Sequence, residues 1–287
     1  MKEHEGIPIL ETQADANAFL YKTPYFAFLD ILGFKALVQN NSHPALVELY
    51  DKIFSAQVDK VAEGHKKYAE KQAGRLGEKY TDAGLQMINI SDSILIWTQH
   101  GQPSALFELV MAVSSLLGIS MIQGLPLRGC ITSQVFSVTN RPNSVSVIGK
   151  GLVHAYSMEN IQQWSGCMID EGIINYFRSI EKVFFGREAP APIERDLLVL
   201  PYDIPIKNPK TGEHTFKKSY AINWSEDFIP DDVIAETFNA HNKKDDRPGS
   251  DTPEKIKNTL DFHHHCIAER KKRAAWWEAL EKSLKED

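Results

Sequence analysis

One carboxylate constrains this chain more than any other residue. Residues 25–32 read Tyr-Phe-Ala-Phe-Leu-Asp-Ile-Leu, an aromatic and aliphatic run interrupted only by Asp30 and followed by Gly33. A run this short, rich in phenylalanine and closed by a glycine, predicts a buried strand leading into a turn. A lone acid in such a strand is costly unless it is paired, protonated or bound to a metal.

The elements around it predict the fold class. An amphipathic helix is expected from about Pro44, where Leu46, Leu49 and Ile53 recur beside Tyr50, Phe54, Val58 and Val61. Residues 64–84, with four glycines among many charges, read as a solvated extension. Residues 85–98 predict a β-hairpin whose β-branched arms flank Ser91-Asp92-Ser93. A second helix follows from Pro103 to about Gln123. Then come a strand over 127–138, a turn at 141–144, a return strand, a short helix from near Gly151 and a strand at Cys167–Ile169. Helices mixed with antiparallel hairpins indicate an α+β fold with an antiparallel-rich sheet, not a doubly wound parallel one. Composition shifts near residue 196. Residues 197–206 and 220–224 predict a strand pair around Asn208–Gly212, and a helix of about 30 residues starts with Thr252 as N-cap. The expected organisation is a core over 1–195 and an appendage over 196–287.

Charge limits the partners. Across 287 residues, 32 Lys and Arg face 38 Asp and Glu, a formal net charge of -6. A mildly acidic chain is a poor candidate for gripping nucleic acid by counterion release. A polyphosphate ligand would need a bound cation as well. The three cysteines, Cys130, Cys167 and Cys266, are widely spaced, form no CxxC pair and suit free thiols. The first residues have no signal-peptide layout. The longest uncharged apolar run, Leu109 to Ile122, holds three serines and reads as a buried helix. A cytoplasmic protein with no membrane or nucleic-acid partner is expected.

Two carboxylates are the candidates for chemistry, Asp30 and, at the hairpin tip, Asp92. Were the first strand to run beside the hairpin, both would converge at one edge. Hard divalent cations that carry nucleotide phosphates use one or two such carboxylates. The bland alternatives stay open: Asp92 as a turn aspartate, Asp30 as a strand-end cap. Other clusters say less. His263-His264-His265-Cys266 cannot converge on one ion, because neighbours on a helix point about 100° apart. Trp276-Trp277 reads as one packed and one half-exposed ring, Lys271-Lys272-Arg273 as a solvated face, and Gly149-Lys150-Gly151 lacks P-loop spacing.

Asp30-Ile31-Leu32-Gly33-Phe34 resembles the first metal motif of the class III nucleotide cyclases, and Ser91-Asp92-Ser93 their second, normally Gly-Asp. Leu127-Arg128-Gly129-Cys130-Ile131 resembles their arginine-bearing strand. The segment from Ile148 to Glu159 resembles their Gly…Val-Asn…Ala…Arg-Leu-Glu stretch. The likeness covers roughly residues 24–180 and implies a ferredoxin-like core. It implies that Asp30, Asp92 and the Ile31 carbonyl hold Mn²⁺ or Mg²⁺. It also gives the Gly33–Phe34 turn contacts to the nucleotide phosphates. Arg128 and Lys150 are the nearest cations to stand in for the family's missing transition-state charge, Arg128 in catalysis with the two aspartates and Lys150 against the nucleotide; a structural strand arginine and a solvated turn lysine stay open as alternatives. The implied reaction converts a nucleoside triphosphate into a 3′,5′-cyclic nucleotide and pyrophosphate, in a head-to-tail homodimer. Val153 and Ser157 stand where the family has its transition-state asparagine and arginine. Ile88 and Ser146 stand where adenine-selecting members have a lysine and an aspartate. The lost purine-reading pair resembles the bacterial uridylate and cytidylate cyclases of anti-phage signalling, which implies UTP or CTP. The lost asparagine and arginine imply the alternative, a degenerate module that binds a nucleotide or a protein partner without turnover.

Overall fold

Phe26–Ile31 forms the central strand, β1, and every residue of it except Asp30 is buried. Gly33, in the left-handed region at φ 77, then turns the chain into helix α1, Phe34–Asn40. Helix α2 (His43–Tyr50) follows, with a π-helical turn over Asp51–Ser55 that buries Ile53. The hairpin is β2 (Gln86–Ile90) and β3 (Ser93–Trp97), helix α3 is Pro103–Ile122, and β4 is Leu127–Thr132. These four strands pair antiparallel in the order β4-β1-β3-β2. A β-α-β-β-α-β chain in the spatial order 4-1-3-2 is the ferredoxin-like arrangement. The computed structural model describes residues 3–4, 7–8, 24–55, 66–67, 69–74, 79–141, 143–185, 192–244 and 250–286. Val58 and Val61, expected in the second helix, lie outside them.

Side chains alternate across β1. Phe26, Phe28 and Asp30 therefore share the face crossed by helix α4 (Lys150–Ile161), where the Phe28 ring meets Tyr156 edge-on at 5.8 Å. Ala27, Leu29 and Ile31 point the other way and are fully or almost fully buried. Most of α3 is buried too. It is the one described helix long and apolar enough to cross a membrane, and it lies in the core. All three cysteines are buried and unpaired.

The structure redraws several sequence readings. Residues 127–138 are not one strand. The chain leaves the sheet after Thr132, where the Gln134 N–H donates to the Thr132 hydroxyl (3.1 Å), and β5 (Phe136–Arg141) pairs with β6 (Ser144–Gly149) as a separate ribbon. Residues 64–84 are not simply solvated. Their helical residues 69–74 bury Ala69, Gln72 and Ala73, and the Gln72 amide donates to Asp196 at 2.6 Å.

Beyond α4 come β7 (Gly166–Ile169), parallel to β4, and helix α5 (Glu171–Phe185). After residue 196 the chain adds strands β8 (Val199–Lys207) and β9 (His214–Ile222) to the same sheet through β7, making the order β8-β9-β7-β4-β1-β3-β2. Helix α6 (Asp231–Thr237) packs on α3, and the Thr237 hydroxyl donates to the Met121 carbonyl at 2.6 Å. Helix α7 (Thr252–Glu286) docks through Phe262, whose ring meets Trp164 at 4.6 Å. Fully burying one such ring contributes about 2–3 kcal/mol.

Candidate metal and nucleotide site

Backbone bonds draw the two aspartates to one edge. Asp30 is the last-but-one residue of β1, opposite Ser93 on one side and Arg128 on the other. The turn between β2 and β3 is only Ser91 and Asp92. It is clamped twice: the Ile31 N–H donates to the Asp92 carbonyl (3.0 Å) and the Tyr50 hydroxyl to the Ser91 carbonyl (3.0 Å). Next to them the Leu32 N–H donates to the Pro126 carbonyl at 2.9 Å. Ser91 adopts φ 61, where a Cβ costs about 1–2 kcal/mol. The resembled motif has glycine at this position.

The electrostatics of this edge call for positive charge. Burial, followed by the charges of Glu159 and Asp92, pushes the Asp30 carboxyl up to about 7, while Arg128 pulls it down. Burial and the same two aspartates also hold the Tyr50 proton more firmly than usual. Among the described residues no group of three or more His, Cys, Asp or Glu gathers to hold a metal ion. Two carboxylates with backbone carbonyls nevertheless match the hard-oxygen sites of Mg²⁺ and Mn²⁺, which take substrate phosphates as remaining ligands. The donor set fits the cation that the resemblance implies.

Arg128 is committed elsewhere than to open space. Its Nε and Nη2 both reach Oε1 of Glu159, and Nη1 donates to the Gln162 carbonyl at 2.6 Å, all of it buried. Gln162 in turn donates to the Gly129 carbonyl (2.8 Å) and accepts from the Trp164 indole (2.8 Å). The end of α4 is thereby fixed beside Asp30. Glu159 carries a charge that the site feels, although sequence reading assigned it no role. Its partner is 31 positions away on another element, and no local pattern announces the pair.

Gly33 and Phe34 lie at the same edge, with the Phe34 ring 6.5 Å from Tyr50. Between α1, α2 and the Ser91 turn opens a groove of about 440 Å³ lined by Phe34, Leu46, Val47, Tyr50 and Asn89. Lys243, also without a role in the sequence reading, packs its stem against Gly33, 3.4 Å from where a Cβ would stand. Its amine donates to the Thr237 carbonyl (2.9 Å) and the Gly124 carbonyl, and burial lowers its pKa to about 7.

Lys150 is not with this group. It is exposed at the start of α4, and nine helical residues, about 13 Å, separate it from Glu159. Val153 and Tyr156 face solvent from α4 (66% and 54% exposed), and Ser157 donates to the Val153 carbonyl at 2.7 Å. Ile88 lies half-buried on β2 and Ser146 exposed on β6. The three histidines of α7 do not gather at one point, although His263 and His264 both face Asp231, at 3.8 and 2.9 Å. His263 meets the Ser225 hydroxyl (2.6 Å), His264 meets Asp231 (2.9 Å) and His265 meets the Pro201 carbonyl (3.2 Å).

The motifs thus occupy the β1 turn, the β2–β3 turn, β4 and α4 of a 4-1-3-2 sheet, with both aspartates at one edge. The fold is class III cyclase-like. Among solved structures the chain is similar to the guanylyl cyclase Cya2, at 10% identity over 72% of this chain and 95% of that one (TM-score 0.39). It is similar to the guanylyl cyclase domain of the RhoGC fusion protein from the aquatic fungus Blastocladiella emersonii, at 15% over 70% and 96% (0.37). A third likeness is to a bacterial light-regulated adenylyl cyclase, at 11% over 77% and 56% (0.40). With TM-scores this low, strand order and motif position carry the assignment, not superposition. No family model and no curated protein matches the chain.

Proposed function

We propose that the cyclase-like protein is a nucleotide cyclase. It would join the 3′-oxygen of a nucleoside triphosphate to its own α-phosphorus and release pyrophosphate. The observation that carries this reading is the meeting of Asp30 and Asp92 at one edge, held by the Ile31–Asp92 backbone bond. Asp30, Asp92 and the Ile31 carbonyl would hold the divalent cations. When bound, Mn²⁺ or Mg²⁺ offsets charge on the phosphates and lowers the pKa of the attacking hydroxyl. The chain's own residues orient: the Gly33–Phe34 turn offers backbone N–H groups to phosphate oxygens, and the Arg128–Glu159 pair fixes the wall behind Asp30.

Lys150 sits at the far end of α4 from Asp30. That separation, with Val153 and Tyr156 exposed between them, supports a head-to-tail homodimer whose second copy completes the site. Uncharged Ile88 and Ser146 support a pyrimidine base, UTP or CTP, over a purine. The branch likeness to anti-phage cyclases extends to the same signalling role. A second reading, a module that binds a nucleotide without turnover, is favoured by Val153 and Ser157, which offer neither a cation nor an amide. Removing one such transition-state donor costs about 10²–10³-fold in rate.

Incubating the full chain with Mn²⁺ and each of the four ribonucleoside triphosphates separates the readings. A cyclic product and pyrophosphate are expected, and Asp30→Ala or Asp92→Ala should abolish both. Nucleotide binding without product, at high protein concentration, establishes the second reading instead.

A further inference from the structure

Helix α1 depends on other segments for its place. It has seven residues, buries only Leu37, starts at Gly33 without a side-chain cap and carries no acid in its first turn. Helices this short are marginal alone in water, so tertiary partners must hold it. At its far end the Asn40 amide donates to the Asn242 carbonyl and the Asn41 amide to the His241 carbonyl, both at 2.7 Å. At its near end the Lys243 stem lies over Gly33. Residues 241–243 thus grip α1 at both ends. The same stretch finishes α3, whose last carbonyls have no partner within the helix. Met121 is met by the Thr237 hydroxyl (2.6 Å), Gln123 by the His241 ring (2.7 Å) and Gly124 by the Lys243 amine. A cation is favourable at that end of a helix. His241 and Asn242 hold φ 54 and 59, two neighbouring side chains in the left-handed region. Such conformations persist only where the surroundings over-determine them.

Both grips close on the seam beside the aspartates. Lys243 touches Gly33 with its stem and Gly124 with its amine, so one side chain spans the two turns that the Leu32–Pro126 backbone bond joins. Two residues along each strand from that bond stand Asp30 and Arg128, opposite each other. We propose that Lys243 is a positioning residue for phosphate binding: it holds the Gly33–Phe34 turn against the α3–β4 turn, so that the first keeps its aim at a polyphosphate. The inference rests on reading the Asp30–Asp92 edge as a metal and nucleotide site. It gives residues 237–243, from the part of the chain beyond residue 196, a share in that site. Lys243 is buried and meets Gly33, Gly124 and Thr237, so it acts on phosphate oxygens only through the turn. Cation binding is spared, because the Ile31–Asp92 backbone bond and the pairing of Asp30 with Arg128 and Ser93 hold the aspartates without it. Partners one step behind a site commonly set its affinity by fixing the groups that touch the ligand.

The test separates phosphate from metal. The full chain is titrated with Mn²⁺ alone and then, saturated with Mn²⁺, with inorganic tripolyphosphate. Lys243→Ala should weaken tripolyphosphate binding about tenfold and Mn²⁺ binding by less than about twofold. Lys243→Met, which keeps a stem over Gly33, should bind tripolyphosphate within about threefold of the native chain. Asn40→Ala combined with Asn41→Ala frees the far end of α1 near the surface, away from the core. It should show the same split, at about threefold or more for tripolyphosphate, and it decides the matter with Lys243→Met if Lys243→Ala does not fold. Equal weakening of Mn²⁺ and tripolyphosphate would make Lys243 structural only and overturn the proposal. So would native tripolyphosphate binding in Lys243→Ala or in the asparagine pair, or a Lys243→Met as weak as Lys243→Ala. A native chain that binds Mn²⁺ without tripolyphosphate, or neither, removes the nucleotide site itself, and this inference with it.

Discussion

Replacing Asp30 with asparagine should stabilise the protein at pH 8 while ending any metal-dependent chemistry. Folding raises this carboxyl from its ordinary 3.8 to about 7, chiefly through burial and the charges of Glu159 and Asp92. The folded state therefore holds a proton that the unfolded state has lost over roughly pH 4–7. Stability falls as pH climbs through that window and stays low above it. At 1.36 kcal/mol per pH unit the gap has a ceiling of about 4 kcal/mol. Asp30 keeps some contact with water, and screening brings the expected cost to about 2 kcal/mol. Asparagine keeps the shape of the protonated acid without the charge. Urea unfolding of both proteins at pH 4 and pH 8 reads the effect. The variant should gain about 2 kcal/mol at pH 8 and almost nothing at pH 4. Mn²⁺ at a hundred times its dissociation constant should add about 2.7 kcal/mol to the native protein and little to the variant. A variant less stable than the native protein at pH 8, or one that Mn²⁺ stabilises equally, would refute the reasoning.

Three further outcomes follow from the geometry. Ser91→Gly relieves a left-handed backbone at φ 61 and should raise stability by about 1 kcal/mol in the same urea assay, without loss of Mn²⁺ binding. Glu159→Ala strands the buried Arg128 guanidinium and should destabilise by about 3–5 kcal/mol; Arg128→Met combined with Glu159→Met should recover most of that, a coupling read by a double-mutant cycle. The Lys243 amine titrates near 7 in the folded state against 10.5 ordinarily, so the unfolded chain binds the extra proton between those values. Native stability should therefore rise with pH from about 7 to 10, and Lys243→Met should flatten that slope in pH-resolved thermal melts.

Local pattern explains what was legible. The β1 run, the tight hairpin and α3 each announce themselves by apolar spacing within a dozen or so residues, and both aspartates were visible as charge in the wrong place. Helix α1 was not legible, because only Leu37 of its seven residues is buried and it has no apolar stripe to read. The break after Thr132 was hidden because β4 and β5 are both strand-forming sequence; only the sheet's edge separates them. The roles of Glu159 and Lys243 depend on partners brought from distant elements. Residues 69–74 turn inward through small side chains, Ala69 and Ala73, which leave little mark in a charged stretch.

Asn40 and Asn41, at the end of α1, donate their side-chain amides to the carbonyls of Asn242 and His241, about 200 residues further along, and Lys243 closes over Gly33 beside them. During synthesis the ribosome releases β1, the hairpin and β4 long before that clamp. A nascent chain can therefore assemble the acidic edge while the Gly33 turn still lacks its cover. The turn proposed to face the phosphates gains its Lys243 cover only among the last parts of the molecule, so the emergence of residues 241–243 sets the earliest moment at which the proposed site can be complete.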